Sequence, residues 1–202
     1  MTSIARSIQL AFRTMTTLLV FALPAAAQTE APRHWEARIT SGSMMPVGEL
    51  QQSLRSAPLT AAQVSWSPRP QLAVTGTLGW ARSRDLLTLG SPKVDAITLD
   101  LGVELRSRPR ALGRRSSIDG FAGLGAGLRR YDSRAVGSDA SRHAAAYAAV
   151  GSELVYRRVG LRLELREYVG GFRPLNGAGS QMLANDVVVM TALRIVRRAP
   201  QR

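Results

Sequence analysis

The chain is 202 residues long, has no cysteine and carries a formal net charge of +13. That length suits one domain or one small barrel. The missing cysteines exclude a disulfide scaffold and any thiolate metal site. Of the 27 basic residues only Lys93 is a lysine, so the charge is carried by arginine, whose planar fork suits carboxylate pairs and phosphates. The basic pI raises nucleic-acid binding as a hypothesis, but the first thirty residues point to another compartment.

Those residues have the layout of a secretory signal peptide. Arg6 and Arg13 form a positive n-region. Met15–Leu23 is a short apolar run interrupted only by Thr16 and Thr17, and Pro24 breaks it. Ala25, Ala26 and Ala27 offer a small-x-small cleavage site before Gln28. The run is shorter than the roughly 20 apolar residues a spanning helix needs. The expected organisation is a signal peptide over residues 1–27 and a mature domain over residues 28–202. Cleavage there removes two arginines and no acid.

The mature chain shows repeated short runs in which apolar and polar residues alternate, the period of a β-strand. His34–Ser41 places Trp35, Ala37 and Ile39 opposite Glu36, Arg38 and Thr40. Ala61–Trp66 sets Ala62, Val64 and Trp66 against Gln63 and Ser65. Gln71–Ala81 sets Leu72, Val74, Leu78 and Trp80 against Thr75 and Thr77. Asp95–Arg106 is the cleanest, with Ile97, Leu99, Leu101, Val103 and Leu105 opposite Asp100, Glu104 and Arg106. Ile118–Arg130 sets Ala122, Leu124, Ala126 and Leu128 against Asp119, Phe121, three glycines and Arg129. His143–Tyr156 sets alanines, Val150 and Leu154 against His143, Tyr147 and Glu153. Val159–Tyr168 sets Val159, Leu161, Leu163 and Leu165 against Arg162, Glu164, Arg166 and Tyr168. Asp186–Val196 sets Val187, Val189, Leu193 and Ile195 against Asp186, Met190 and Arg194. Eight strands are expected.

The links alternate in length. Strands two and three are separated by residues 67–70, and six and seven by Arg157 and Arg158, with an intermediate basic link over 107–117. The links after strands one, three, five and seven are read as ten residues or more, rich in Gly, Pro, Ser and Asp. Outer-membrane barrels have short periplasmic turns and longer external loops, and with a periplasmic N-terminus the observed phase matches. Alternation alone does not say which face points inward, because a soluble lipocalin-like barrel hides the apolar face that a membrane barrel shows to lipid. Three features favour the membrane. The polar face carries both signs of charge, which a lumen would pair. The longer strands reach the roughly 9–11 residues that cross at a tilt. Trp35, Trp66 and Tyr156 fall near the periplasmic strand ends and Trp80, Tyr131 and Phe172 near the outer ends, as in interfacial girdles.

On these strands, and on the stretches Gly120–Asp132 and Val159–Val169, the chain resembles the small eight-stranded outer-membrane β-barrels, of the type of the outer membrane protein A transmembrane domain. The resemblance covers roughly residues 33–198 and implies an all-β, antiparallel, up-and-down transmembrane barrel. It also implies outer-membrane lipids, lipopolysaccharide and the barrel-assembly machinery as partners. The chain departs from the family's frequent terminal aromatic by running on through Arg197 and Arg198 to Arg202.

An eight-stranded barrel is just wide enough for its own side chains to fill. Thirteen charges are expected in the lumen: Glu36, Arg38, Asp100, Glu104, Arg106, Asp119, Arg129, Glu153, Arg162, Glu164, Arg166, Asp186 and Arg194. They are read as a structural set of ion pairs. The competing reading is a gated conduit with Arg38, Glu104, Arg162 and Glu164 as movable pairs. No catalytic residue, cofactor or metal site is expected. The nearest approach to catalytic chemistry is His143 with Ser141 and Asp139, since some barrels resembling this one modify lipid A with histidine, serine and a carboxylate. His34 and His143 are too far apart in sequence for a local metal pair. The glycines between Gly120 and Gly127 do not open a helix, so they are read as relief of crowding rather than a phosphate cradle. Arginines of turns and loops (Arg108, Arg110, Arg114, Arg115, Arg130, Arg134, Arg142) can meet lipid phosphates or peptidoglycan. The expected function is a non-enzymatic outer-membrane protein with a structural, adhesion or envelope-integrity role through its external loops. The alternatives are a soluble periplasmic lipid-binding barrel and a lipid-A-modifying enzyme.

Overall fold

The computed structural model describes residues 34–134, 140–157, 159–172 and 182–195. The proposed signal peptide, Asp139, most of the link after strand seven and the arginines beyond residue 195 lie outside them. Eight long strands form: β1 (His34–Val47), β2 (Ala57–Arg69), β3 (Leu72–Arg84), β4 (Lys93–Arg106), β5 (Ser116–Ser133), β6 (Ser141–Tyr156), β7 (Val159–Phe172) and β8 (Met182–Ile195). Each pairs antiparallel with its sequence neighbour, and β1 pairs with β8. The sheet therefore closes into an up-and-down barrel with no free edge.

The alternation is the cause of this arrangement. A side-chain period of two puts one residue set on each wall, and the register aligns those sets between neighbours. Leu78, Leu99 and Leu128 sit side by side across β3, β4 and β5, all exposed on the outer wall. Thr77, Asp100 and Gly127 are aligned one residue along, on the inner wall.

The strands run further than the sequence pattern indicated, and the links are correspondingly shorter. The links that were expected to hold ten residues or more span only 48–56, 85–92, 134–140 and 173–181. At the end where β1 begins, here the near end, β2 and β3 are joined by residues 70–71, and β4 and β5 by 107–115. That last link is as long as those of the opposite, far end. It is pinned by a two-residue strand, Arg110–Ala111, paired with Ser117 and Ile118.

One cause explains why the strand ends escaped the pattern. In the near and middle parts of the barrel the outer wall is apolar and the inner wall polar. Toward the far end the polarity reverses. On β1 the inner Met44 is buried while the outer Ser41 is exposed; on β2 Leu59 and Ala61 are buried inside while Pro58 and Thr60 are exposed outside. On β3 and β4, Ala81, Val94 and Ala96 line the interior below an outer rim of Arg82, Arg84, Lys93 and Asp95. An outer wall in lipid must be apolar, and one in water need not be. In a barrel set in lipid, such a reversal falls where the wall leaves the hydrocarbon layer. The apolar band ends almost flush with the near end, at Trp35, Trp66, Leu72, Leu105, Tyr156 and Val159, and the surplus strand length projects at the far end.

The link over 48–56 contains a one-turn helix, α1 (Leu50–Ser53), which the alternation did not signal. Leu50 and Leu54, four residues apart, are both 1% exposed. They point into the far mouth. The link is tied to β3 and the link after it, with Arg55 N donating to Arg84 O at 3.1 Å and Leu86 N to Ser53 O at 2.9 Å. Asp85 folds the next link over the same mouth, accepting from Leu87 N at 2.9 Å and Thr88 Oγ1 at 2.6 Å.

Candidate functional site

The candidate site is the lumen, and it has two storeys. The near storey is ionic. Glu153 pairs with Arg194, Arg194 with Glu36, and Glu36 with Arg38. Arg106 bridges Glu36 at 3.5 Å and Glu104 at 2.7 Å. Arg162 joins Glu104 at 2.6 Å to Glu164 at 2.8 Å. Glu164 also holds Arg166, which reaches Asp100 at 3.4 Å. Ten of the thirteen expected charges thus form one connected chain of five carboxylates and five guanidiniums. Strand parity puts them there: residues two apart on a strand, such as Glu104 and Arg106 or Arg162, Glu164 and Arg166, face the same way and meet.

Neutral groups complete the packing. Arg38 donates to Gln63 at 3.1 Å, Arg166 to Thr77 at 3.2 Å, and Tyr168 to Asp100 at 2.6 Å. Rings lie against three guanidinium faces, Phe121 on Arg162 at 3.4 Å, Tyr168 on Arg129 at 3.8 Å and Tyr147 on Arg166 at 4.7 Å. These contacts let arginine shed water on its face while its edge is paired. Arg129 and Asp186 form a separate buried pair at a higher level. Asp119 is half-buried at the near mouth, opposite Glu153 in the register.

The far storey is apolar. Met44, Leu50, Leu54, Leu59, Val94, Tyr131 and Phe172 belong to one buried cluster, which continues past Val188 and Met190 to the rings of Tyr147 and Tyr168 beside the ionic storey. Tyr131 and Phe172 meet edge to face at 5.3 Å between ring centres. This corrects their expected place in an outer girdle. They share parity with Arg129 and Tyr168, so they face the lumen and are 3% and 1% exposed. Trp35, Trp66, Tyr156 and Trp80 do lie on the outer wall, and the first two rings stack 6.2 Å apart. Between the storeys lies a small crevice of about 10 Å³, lined by Leu50, Arg129, Tyr131, Ala145, Tyr168 and Asp186. That is about the space of a single water molecule.

The inward glycines of β5 have a packing reason. A Cβ on Gly125 would fall on the Tyr147 ring and on the Leu101 carbonyl, and one on Gly102 would meet the Tyr147 hydroxyl. The two glycines make room for the ring that lies against Arg166. Ser141 and His143 are also brought together, with a hydrogen bond between Ser141 Oγ and His143 Nε2. Both face inward at the far mouth, and His143 packs near Phe172 at 6.0 Å and Tyr131 at 6.4 Å. Among the described residues no group of three or more His, Asp or Glu side chains is placed to hold a metal.

No family model matches the sequence, and no curated protein does. Solved structures do. Neisserial surface protein A superposes with a TM-score of 0.54 at 12% identity, over 83% of this chain and 100% of that one. This is the fold of a small eight-stranded outer-membrane β-barrel. The attachment invasion locus protein of Yersinia pestis is also similar, with a TM-score of 0.40 at 10% identity, over 78% of this chain and 97% of that one. Within that fold, the two-storey lumen and the one-turn helix α1, the stopper of its far mouth, are built from this chain's own residues.

Proposed function

We propose that the protein is an integral outer-membrane barrel with a filled, non-conducting lumen, which presents a stiff projecting surface rather than performing a reaction. One observation carries the reading. The wall is apolar outside and ionic inside over the part that would lie in lipid, then apolar inside and polar outside beyond it. A soluble lipid carrier needs an apolar interior throughout, whereas here ion pairs occupy the space a lipid tail would take. The role is structural, adhesive or envelope-stabilising, with the near end periplasmic and the far end external.

The lumen charges serve in this reading as packed core. The same region supports the conduit reading only if Arg38, Glu104, Arg162 and Glu164 can swing apart, and their shared pairs and the apolar storey above them oppose that. External lipopolysaccharide phosphates are the natural partners of Arg130 and Arg142, which are adjacent on the outer wall just beyond the apolar band. The barrel-assembly machinery is the partner during insertion.

The test is fractionation of cells expressing the full chain. The protein is expected in the outer membrane, released by detergent and shifting in gel mobility on boiling. Recovery in the soluble periplasmic fraction would overturn the reading. In planar bilayers both the wild type and Glu104→Ala are expected to show no conductance steps; steps in the variant would favour the conduit. His143→Ala is expected to leave the lipid A mass spectrum unchanged.

A further inference from the structure

The near rim is unlike the far one. Arg69, Arg108, Arg110, Arg114, Arg115 and Arg157 are all exposed there. The segments that bear them, 67–71, 107–115 and 157, contain no Asp or Glu. Among the described residues none of the six forms an ion pair. At the far rim the arginines are partly neutralised, Arg82 and Arg134 by Asp95 at 2.8 Å each and Arg130 by Asp132 at 2.9 Å.

Position decides what the near arginines can meet. The apolar band ends almost flush with this rim, where Trp35, Trp66 and Tyr156 face outward at the level aromatic belts mark, that of the lipid headgroups. The arginines follow within a few residues, at the depth of the phosphates. Arg157 lies over the Tyr156 ring at 5.5 Å. The link that carries four of them is held in place rather than trailing away. Arg110 and Ala111 pair with β5, Leu112 N donates to Ser116 O at 3.0 Å, and Arg157 N donates to Arg115 O at 2.8 Å. Leu112, 57% exposed among these arginines, gives the link an apolar foot. Guanidinium forks carried on a held backbone beside an apolar side chain match a phosphodiester above its acyl chains.

We propose that this rim is a binding surface for the phosphate headgroups of anionic phospholipids in the leaflet it faces. The proposal rests on the membrane reading above. Peptidoglycan carboxylates are the competing anion. They lie beyond the headgroup plane, and a link held to the start of β5 at the rim suits them less well.

The tryptophans supply the probe. In a Trp80→Phe background the remaining Trp35 and Trp66 both report on the near rim. The full chain is inserted into phosphatidylcholine vesicles containing a small fraction of brominated lipid, either phosphatidylglycerol or phosphatidylcholine. Quenching is expected to show a preference for phosphatidylglycerol on the order of fivefold, weakening with salt. Replacing Arg108, Arg110, Arg114 and Arg115 by Gln is expected to abolish the preference. Replacing Arg82, Arg130, Arg134 and Arg142 by Gln is expected to leave it. The milder Arg114→Gln/Arg115→Gln pair should fall between, which guards against a folding defect in the fourfold variant. Equal quenching by the two lipids in an inserted protein overturns the proposal alone, as does a preference that survives the fourfold change. Arginine-dependent sedimentation with purified sacculi, without lipid preference, overturns it in favour of peptidoglycan. Failure of the wild type to insert, seen as no heat-modifiable band, overturns the membrane reading itself.

Discussion

The two storeys of the lumen solve the same packing problem by opposite means. Near the entry of the chain the interior is filled by guanidiniums and carboxylates that neutralise one another. At the far end it is filled by Met, Leu, Val and aromatic rings. On the membrane reading proposed above, the difference follows what surrounds the wall. Where lipid takes the apolar side chains, the interior is left to polar ones, and they must be paired because an uncompensated buried charge is costly. Where water surrounds the wall, the interior can be an ordinary hydrophobic core. The barrel is thus inverted in one half and conventional in the other.

The comparison predicts a graded set of mutational effects. The largest belongs to the ionic storey. Glu164→Ala takes one of two carboxylate partners from each of Arg162 and Arg166 and leaves the buried network one negative charge short, and is expected to cost about 3–5 kcal/mol, measured by urea unfolding in vesicles. An unchanged midpoint would mean that the network is not a core. Next comes the apolar storey, where Leu54→Ala removes a fully buried side chain of the stopper. The expected loss is about 2–3 kcal/mol, together with faster proteolysis within 48–56. Gly125→Ala probes the boundary between them, pressing a methyl group into the Tyr147 ring at an overpacking cost of about 1–3 kcal/mol; rescue by Tyr147→Phe is not expected, since the clash is with the ring. The smallest effect lies on the outer wall of the conventional half. Arg130→Ala breaks only an exposed pair with Asp132, and less than about 1 kcal/mol should be lost. If it instead rivalled Glu164→Ala, burial would not be what separates the two regions.

The inverted half was readable from the residues because both of its walls follow a strict rule. Ile97 to Leu105 and Val159 to Leu165 alternate without a break, and the intervening Asp100, Glu104, Arg162, Glu164 and Arg166 announce a paired interior. The conventional half was not readable in the same way. Ser41, Ser43, Pro58 and Thr60 on the outer wall need no apolar character, so the outward-facing apolar pattern ends at Ile39 and returns only at Ala62. The stopper had a signal, Leu50 and Leu54 at helical spacing in a polar link, but one turn gives no sustained period. Tyr131 and Phe172 were legible in principle. Counting by twos from Arg129 and Tyr168 places both rings inside, and nearness to a strand end was the weaker guide. Which charges pair across the lumen depends on barrel closure, and it could not be read from strands taken singly.

The overhang of the far end has one further consequence. Among the described residues, a partner reaching this end meets hydrogen-bonded wall and the tethered links 48–56 and 85–92, with β5 alone continuing for 18 residues. Little of that surface has to freeze on contact, so docking forfeits little conformational entropy. Affinity there would be tuned by side chains such as Arg84 and Lys93 on a pre-set frame, and small changes of shape in the partner would be penalised rather than accommodated.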